Sequence, residues 1–289
     1  MCGIFGVLRK PHSAYSLGAT NNNEILKGLF CKLAFRSMSR GTDSTGAVLI
    51  RKHRTVSWST VNGKRTELRK GGMVFVAKDK TPADKFITGT KYLNLVENVD
   101  NHALGLVGHT RASSSAVAYN NANNHPHVCG KVVGVHNGHI INWKEIVREY
   151  KLKMNGKCDS EVIFRLIDLF LKKDNINVRE AIQKTSSIIQ GSYACALVIS
   201  DEVNNVYLFR KEAPIKIRHK SFGNLILFAS SNAIIREAYK DMNLESTHSK
   251  GYYELNEYML PNGHGLVLNS ETKDHMGWIK EVDTFRLDQ

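Results

Sequence analysis

Apolar runs of strand length occur throughout this chain of 289 residues, and helical patterns fall between groups of these runs rather than after each one. The first run, from Gly3 to Leu8, predicts a buried strand at the very N-terminus. Strict alternation of strand and helix would indicate a parallel sheet, whereas grouped strands with paired helices are typical of antiparallel sheets. The sequence therefore predicts an α+β protein whose antiparallel sheets carry helices on their outer faces.

Individual elements follow from the period of the apolar residues. Helices are predicted at 23–38, 178–189 and 233–242. Another helix is predicted to begin at Pro82, and a further one is capped at Asp159 or Ser160 and continues through Leu171. Predicted strands are 3–8, a pair at 47–50 and 55–61, 73–77, 103–109, 131–136, 193–199, 206–210, 215–218, 225–229 and a pair within 254–268 turning at 261–263. Since no repeat or proline-rich linker divides the chain, one domain over residues 1–289 is expected.

Charge and cysteine content narrow the class of protein. The chain has 40 Lys and Arg against 27 Asp and Glu, a formal charge of +13. This charge is spread along the chain, so a solvated surface is preferred to a nucleic-acid footprint, although an acidic partner or an anionic substrate would also fit. Five cysteines without a C-x-x-C pair indicate neither a zinc site nor a redox dithiol. No secretory signal or membrane span is recognised, so a soluble cytoplasmic protein is expected.

Cys2 follows only Met1. Methionine is normally removed before a residue as small as cysteine, which would leave Cys2 with a free α-amine. A thiol and an amine on one residue can act as nucleophile and general base, directly or through one water molecule. For a cysteine considered alone, a buried structural thiol is the alternative.

Four further polar segments lie between the predicted elements: RGTDSTG (40–46), GHTR (108–111), NNHPH (123–127) with HNG (136–138), and CDSEVI (158–163). Each also has a purely structural interpretation. Residues 40–46 could form a polar turn, Asn137-Gly138 is a strong hairpin signal, and Asp159 could be only a helix N-cap. His125 and His127 have no third ligand at metal-binding spacing, so hydrogen-bonded histidines are the simpler interpretation.

Together with CGIFG at residues 2–6, these segments resemble, in order and spacing, the N-terminal-nucleophile (class II) glutamine amidotransferase domains. The nearest likeness is to the glutaminase domain of glutamine:fructose-6-phosphate aminotransferase, whose motifs are CGIFG, RGYDSAG, GHTRWATHG, NAHPH, VVHNGIIENY and SDTEVI. The likeness extends from Cys2 to about Ala238 and includes GSYACALV, RKEAPI and FASSNAI near its end. The set as a whole is specific, although no single segment is.

The resemblance implies a four-layer αββα sandwich in which Cys2 attacks the side-chain amide of L-glutamine. The Asn137 side chain and the Gly138 N–H would form the oxyanion hole. Arg111 would bind the substrate α-carboxylate, and Asp159 the α-ammonium. A γ-glutamyl thioester would then be hydrolysed after ammonia leaves, without a metal or an organic cofactor. Further positions implied by the resemblance are Ser114 and His125 near the glutamine site and Arg40 as a support for the nucleophile.

The segment after Arg111 departs from the family motif. Residues 112–116 read ASSSA where the family has WATHG, so Ser114 keeps a hydroxyl but Ala112 and Ser115 replace a tryptophan and a histidine. This change would reshape one wall of the pocket or the loop that senses the acceptor. An N-terminal-cysteine amidase acting on another amide is therefore kept as an alternative.

The chain also ends soon after the matched segments, whereas the named relatives continue into an acceptor domain. A separate ammonia acceptor is therefore expected, and the basic stretch from Arg51 to Lys91 and the tail after Leu268 are candidate docking surfaces. A homo-oligomer is compatible with the sequence. A catalytically silent relative that binds a partner or nucleic acid is a further alternative, and the presence of all the site residues argues against it.

Overall fold

The computed structural model describes residues 2–9, 19–52, 58–61, 64–67, 72–113, 120–220, 225–243, 256–270 and 284–288. The strands in this part of the chain are β1 Gly3–Arg9, β2 Ser44–Lys52, β3 Trp58–Val61, β4 Lys64–Glu67, β5 Gly72–Asp79, β6 Ala103–Arg111, β7 His127–Cys129, β8 Val132–Ile140, β9 Gly191–Ile199, β10 Asn205–Lys211, β11 Lys216–Lys220, β12 Leu225–Ala229, β13 Asn256–Met259, β14 His264–Asn269 and β15 Thr284–Arg286. The helices are α1 Ala19–Ser37, α2 Ala83–Phe86, α3 Thr90–Val96, α4 Trp143–Glu149, α5 Asp159–Lys173, α6 Val178–Ile188 and α7 Asn232–Asp241.

The larger sheet has the strand order β13-β11-β12-β1-β6-β2-β5, with antiparallel pairing throughout. Helices α1 and α7 pack on its outer face, and α2 and α3 contact its β2 and β5 side. Phe5 and Val7 of β1 point into this outer layer, where they meet Leu29 and Phe30 of α1. The sheet is thus buried beneath helices on one face.

The second sheet has the order β15-β14-β10-β9-β8-β7 and is also antiparallel. Its outer face is covered by α5 and α6, whose apolar residues recur at helical spacing and form a separate core. Helix α6 begins with a capping box, in which Asn177 and Glu180 satisfy each other's backbone N–H groups.

A third core lies between the two sheets. Ile4 and Leu8 of β1 face it, together with Val133 and Val135 of β8. Since side chains alternate along a strand, each sheet buries one face against helices and the other against its partner sheet. The predicted α+β class and the αββα order of layers are therefore confirmed.

Two predicted strand pairs are wrong, although the strands themselves exist. The segment 47–50 lies in β2, which pairs with β5 and β6, whereas β3 pairs with β4. Both edges of β2 are thus taken by strands that come later in the chain. Strands β13 and β14 belong to different sheets, and the chain crosses between them at Pro261–Gly263. The Arg210 side chain holds this crossing, because its Nη1 donates to the Leu260 carbonyl at 2.9 Å.

No helix in the described part of the chain is both long enough and apolar enough to cross a membrane.

Candidate active site

The predicted site residues that the structure describes collect at one end of the two sheets. Cys2 precedes β1, Arg111 ends β6, and Asn137 and Gly138 lie near the end of β8. Asp159 is the first residue of α5. Because Cys2 and Ile4 are two residues apart, strand alternation directs both towards the second sheet. Sequence segments separated by more than a hundred residues therefore meet at the N-terminal end of β1.

Asn137 joins the two sheets at Cys2. Its Nδ2 donates to the Cys2 carbonyl oxygen at 2.6 Å and to Ser230 Oγ at 3.0 Å. Ser230 in turn accepts a hydrogen bond from the Ile4 N–H at 2.9 Å, so it also fixes the start of β1. Asn137 and Ser230 are 4% and 2% exposed, which holds the amide in a water-poor environment next to Cys2.

The interpretation of Asn137-Gly138 as a hairpin turn is wrong. Both residues lie inside β8, where Asn137 is opposite Ala194 and Gly138 is opposite Tyr193. Gly138 has a φ of +131°, and a Cβ at this position would overlap the Ser192 carbonyl oxygen. Glycine is therefore required by backbone conformation and by a close approach to β9 within a continuous strand.

The Cys2 thiol is half-buried and close to two arginines. Its Sγ lies 3.6 Å from the Ala112 carbonyl oxygen, and Arg40 Nε donates to the Cys2 carbonyl at 2.7 Å. Burial raises the pKa of the thiol, and the positive charges of Arg111 and Arg40 oppose this rise. A thiol with a raised pKa needs a nearby base to become a nucleophile at neutral pH.

Arg111 is oriented by the NNHPH segment. Its Nη1 donates to the Asn123 carbonyl and to Asn124 Oδ1, both at 2.7 Å. Lys78 of β5 anchors the same segment, because its Nζ donates to the carbonyls of Asn124 and Pro126 at 2.7 and 3.0 Å. Only one edge of the Arg111 guanidinium is used in these bonds, which leaves Nη2 and Nε without hydrogen bonds to the residues that the structure describes.

Asp159 does not act as the helix cap that the structural interpretation predicted. Cys158 is the N-cap of α5, and Asp159 Oδ2 instead accepts a hydrogen bond from the Ile140 N–H at 2.8 Å. The carboxylate therefore ties α5 to the end of β8. The preceding loop is held by the fully buried Glu161, which accepts hydrogen bonds from the N–H groups of Asn155 and Gly156.

His125 lies in a cluster of buried histidines rather than on an exposed wall. Its ring centroid is 4.0 Å from that of His109 and 4.6 Å from that of His127, and its own side chain is 3% exposed. Burial, reinforced by the charge of Arg111, lowers the pKa of His109 to about 3, and burial lowers that of His136 to about 4 although Asp159 opposes the shift. Burial also lowers the pKa of His125 and of His127 well below the ordinary value. The cluster is therefore neutral at physiological pH, and its geometry fits a supporting role for His125.

Ser114, Ser115 and Ala116 lie outside the described residues. The start of their segment is described, and it is held by the RGTDSTG motif. The Ser113 N–H donates to Asp43 Oδ2 at 2.5 Å, and the Asp43 N–H donates to the Arg111 carbonyl at 2.9 Å. Residues 40–46 thus support the wall that follows Arg111, in addition to supplying a turn.

Several residues of the site had not been singled out from the sequence. Ser230 bonds to Asn137, the Asp43 N–H donates to the Arg111 carbonyl, and Lys78 donates to the carbonyls on either side of His125. Ser230 lies in the FASSNAI segment, and Asp43 lies in RGTDSTG, so both had a motif signal. Lys78 had no motif signal, because its hydrogen-bond partners are distant in sequence.

The histidine and carboxylate groups do not suggest a metal centre. No group of three or more His, Cys, Asp or Glu side chains in the described part of the chain has the geometry to hold a metal ion. A nucleophile, an amide donor, a guanidinium and a carboxylate arranged in this way suit acyl transfer from a zwitterionic substrate.

Known proteins share this sequence pattern. Residues 109–237 match a family described as a glutamine amidotransferase domain. The chain is 30% identical over 247 residues to the isomerizing glutamine–fructose-6-phosphate aminotransferase of Streptococcus agalactiae serotype III, and 28% identical over 250 residues to that of Lactococcus lactis. These matches cover 84% of the chain but 34% of each relative, so the chain spans about a third of the length of these relatives.

Solved structures share the fold. Glutamine phosphoribosylpyrophosphate amidotransferase from Bacillus subtilis, complexed with ADP and GMP, superposes with a TM-score of 0.64 at 14% identity, over 100% of this chain and 50% of that one. A structure described as the allosteric regulatory enzyme of purine biosynthesis gives a TM-score of 0.62 at 14% identity. The fold and the matched segments agree, since residues 109–237 match the glutamine amidotransferase domain family and the chain has the layered fold of the N-terminal-nucleophile amidotransferases.

Proposed function

We propose that this domain hydrolyses L-glutamine to glutamate and ammonia, with Cys2 as the nucleophile. The observation that carries the proposal is the position of the Asn137 amide, whose Nδ2 lies 2.6 Å from the carbonyl oxygen of Cys2. An amide N–H held this close to the attacking residue can stabilise the negative oxygen that forms when a substrate carbonyl is attacked.

The reaction begins once Met1 has been removed. The α-amine of Cys2 takes the thiol proton, and Sγ attacks the Cδ carbonyl carbon of glutamine. The resulting oxyanion accepts hydrogen bonds from Asn137 Nδ2 and the Gly138 N–H. Asn137 Nδ2 donates to Cys2 and Ser230 in this structure, so one N–H turns from the Cys2 carbonyl to the oxyanion.

The intermediate then collapses. The C–N bond breaks, the α-ammonium returns its proton to the leaving nitrogen, and ammonia departs from a γ-glutamyl thioester. Water, deprotonated by the same amine, adds to the thioester, and the C–S bond breaks to release glutamate and restore the thiol. No metal or organic cofactor takes part in these steps.

Two charged groups are suited to the zwitterionic end of glutamine. The guanidinium of Arg111 has one edge bound to Asn123 and Asn124, and the other edge suits a carboxylate. The carboxylate of Asp159 is 19% exposed and is the group assigned to the α-ammonium. Both sit on rigid elements, which favours precise orientation of the substrate.

The ammonia is proposed to pass to an acceptor outside the described residues. The curated relatives are named as transferring glutamine nitrogen to fructose 6-phosphate, and this chain matches a third of their length. A separate domain or protein would therefore supply the acceptor site.

Mass spectrometry with 6-diazo-5-oxo-L-norleucine, a glutamine analogue that alkylates the nucleophile, tests the proposal. Loss of Met1 together with an adduct mapped to Cys2 is expected, and Cys2→Ala should take up none and release no ammonia from glutamine. If the processed chain does not react with the analogue and hydrolyses other amides faster than glutamine, glutamine is not the substrate. An adduct on another cysteine would overturn Cys2 as the nucleophile.

A further inference from the structure

His139 lies beside the carboxylate assigned to the substrate ammonium. Its Nδ1 is 3.3 Å from Asp159 Oδ2, the oxygen that also accepts the Ile140 N–H. The imidazole is 73% exposed and Asp159 is 19% exposed, so the imidazole lies at the protein surface next to a mostly buried carboxylate. A cation on this imidazole would contact the same carboxylate oxygen as the Ile140 N–H.

Strand geometry puts His139 on the active-site face of β8. His139 and Asn137 are two residues apart in a continuous strand, so their side chains leave the same face of the sheet. Asn137 on that face contacts Cys2, and Asp159 stands at the end of the strand. His139 therefore lies on the same face of the sheet as Asn137 and next to the carboxylate proposed to bind the substrate ammonium.

The residue type at this position differs from the family motif. The motif VVHNGIIENY has isoleucine directly after HNG, whereas this chain has His139. Isoleucine cannot compete for a carboxylate. Histidine in its protonated form carries a positive charge and can pair with Asp159.

The other charged or titratable groups near His139 cannot pair with Asp159 in a pH-dependent way above pH 5. His136 on the same strand is buried, and burial lowers its pKa to about 4, so it stays neutral above pH 5. Arg111 carries a permanent charge and is oriented by Asn123 and Asn124. The Cys158 thiol contacts Asp159 Oδ1 at 3.7 Å, and burial raises its pKa, so it stays uncharged.

We propose that His139 is a specificity-determining residue of the ammonium site, whose imidazolium form competes with the α-ammonium of glutamine for Asp159. This inference rests on the proposed function. Neutral His139 leaves the carboxylate to the substrate, whereas protonated His139 pairs with it and repels a second cation. Glutamine capture should therefore weaken as the pH falls, by a route that the isoleucine of the family motif does not offer.

Glutamine binding to the Cys2→Ala protein, measured by calorimetry between pH 5.5 and 7.5, tests the competition without turnover. With His139 present, we expect the Kd to rise about fivefold as the pH falls from 7.5 to 5.5, which corresponds to an exposed ion pair of about 1 kcal/mol. With His139→Ile or His139→Gln added, the change should fall below about twofold. His264→Gln, a histidine on β14 at the far side of the second sheet, is the matched control and should keep the fivefold change.

The outcomes separate the two proposals. Equal pH dependence with and without His139 would overturn this inference and leave the proposed function intact. No glutamine binding in any of these proteins, together with no alkylation of the wild-type protein by 6-diazo-5-oxo-L-norleucine, would overturn both. A substrate analogue without the α-amine, glutaramic acid, should bind with no His139-dependent pH effect, and such an effect would also contradict the competition.

Discussion

At the scale of single residues, Asn137 and Ser230 have different roles near Cys2. Asn137 would contact the reacting oxygen, whereas Ser230 acts through Asn137 and through the Ile4 N–H. Asn137→Ala should lower kcat by about 100-fold to 1,000-fold, as removal of an oxyanion donor does elsewhere, with little effect on KM. A kcat within a few-fold of the wild type would contradict the assigned role.

Ser230→Ala should have a smaller effect on catalysis and a clear effect on stability. The change leaves the buried Ile4 N–H without its partner, at a cost of about 1–3 kcal/mol in the free energy of unfolding. Urea denaturation and kcat, measured on the same preparation, check both effects. Ser230→Thr keeps the hydroxyl, and recovery of kcat in that variant would identify orientation of Asn137 as the function of this oxygen.

The role of Arg111 is also decided by individual bonds. Arg111→Ala should raise the KM for glutamine by about tenfold or more, since a hydrogen bond to a charged group contributes about 1.5–3 kcal/mol. Arg111→Lys should recover only part of this, because an ammonium does not reproduce the planar, bidentate geometry. Steady-state kinetics check the expectation, and an unchanged KM would mean that another group binds the carboxylate.

At the scale of elements, strand β8 pairs regularly with β9 and contains Gly138, whose position requires glycine. Gly138→Ala would force a Cβ against the Ser192 carbonyl in a backbone conformation that L residues avoid. We expect a loss of about 1–3 kcal/mol in the free energy of unfolding, together with a loss of activity from displacement of Asn137. Gly263→Ala is the matched control, because Gly263 has a φ of +69° but nothing within 4 Å of the added carbon. Equal losses in the free energy of unfolding of the two variants would show that the close approach of β8 to β9 does not affect stability.

At the scale of the whole molecule, the buried histidines link stability to pH. Folding lowers the pKa of His109 to about 3 and of His136 to about 4, and lowers those of His125 and His127 well below the ordinary value. The unfolded chain therefore binds more protons below about pH 6.5, and the native state loses stability there as the pH falls. The contribution is complete above about pH 6.5 and declines by up to about 1.4 kcal/mol per pH unit for each histidine.

Urea denaturation at pH 5, 6 and 7 measures this linkage, in a range above the titration of most carboxylates. The free energy of unfolding should fall steeply from pH 7 to pH 5. His264→Gln, which alters a histidine outside the cluster, should leave the slope unchanged. A flat profile would mean that the cluster is protonated or hydrated in the native state.

The local sequence determined most of the elements and the kinds of residue at the site. Apolar spacing predicted β1, α5, α6 and α7 to within a few residues, because local periodicity reports which face of an element is buried. The resemblance to the family motifs led to Cys2, Arg111, Asn137, Gly138 and Asp159, and their roles in glutamine hydrolysis are those that the resemblance implies.

The tertiary structure decided which strands pair and which side chains lie close together. The pairing of β2 with β5 and β6, and the separation of β13 from β14, depend on contacts between distant segments, which no local pattern encodes. The same holds for Asn137-Gly138, which taken alone predicts a turn but lies within a strand, where it pairs with β9 and where the Asn137 side chain bonds to Cys2 of the other sheet. It holds also for His139, whose closeness to Asp159 exists only because the end of β8 meets the start of α5. Sequence periodicity is a property of one segment, whereas strand partners and side-chain distances are properties of two.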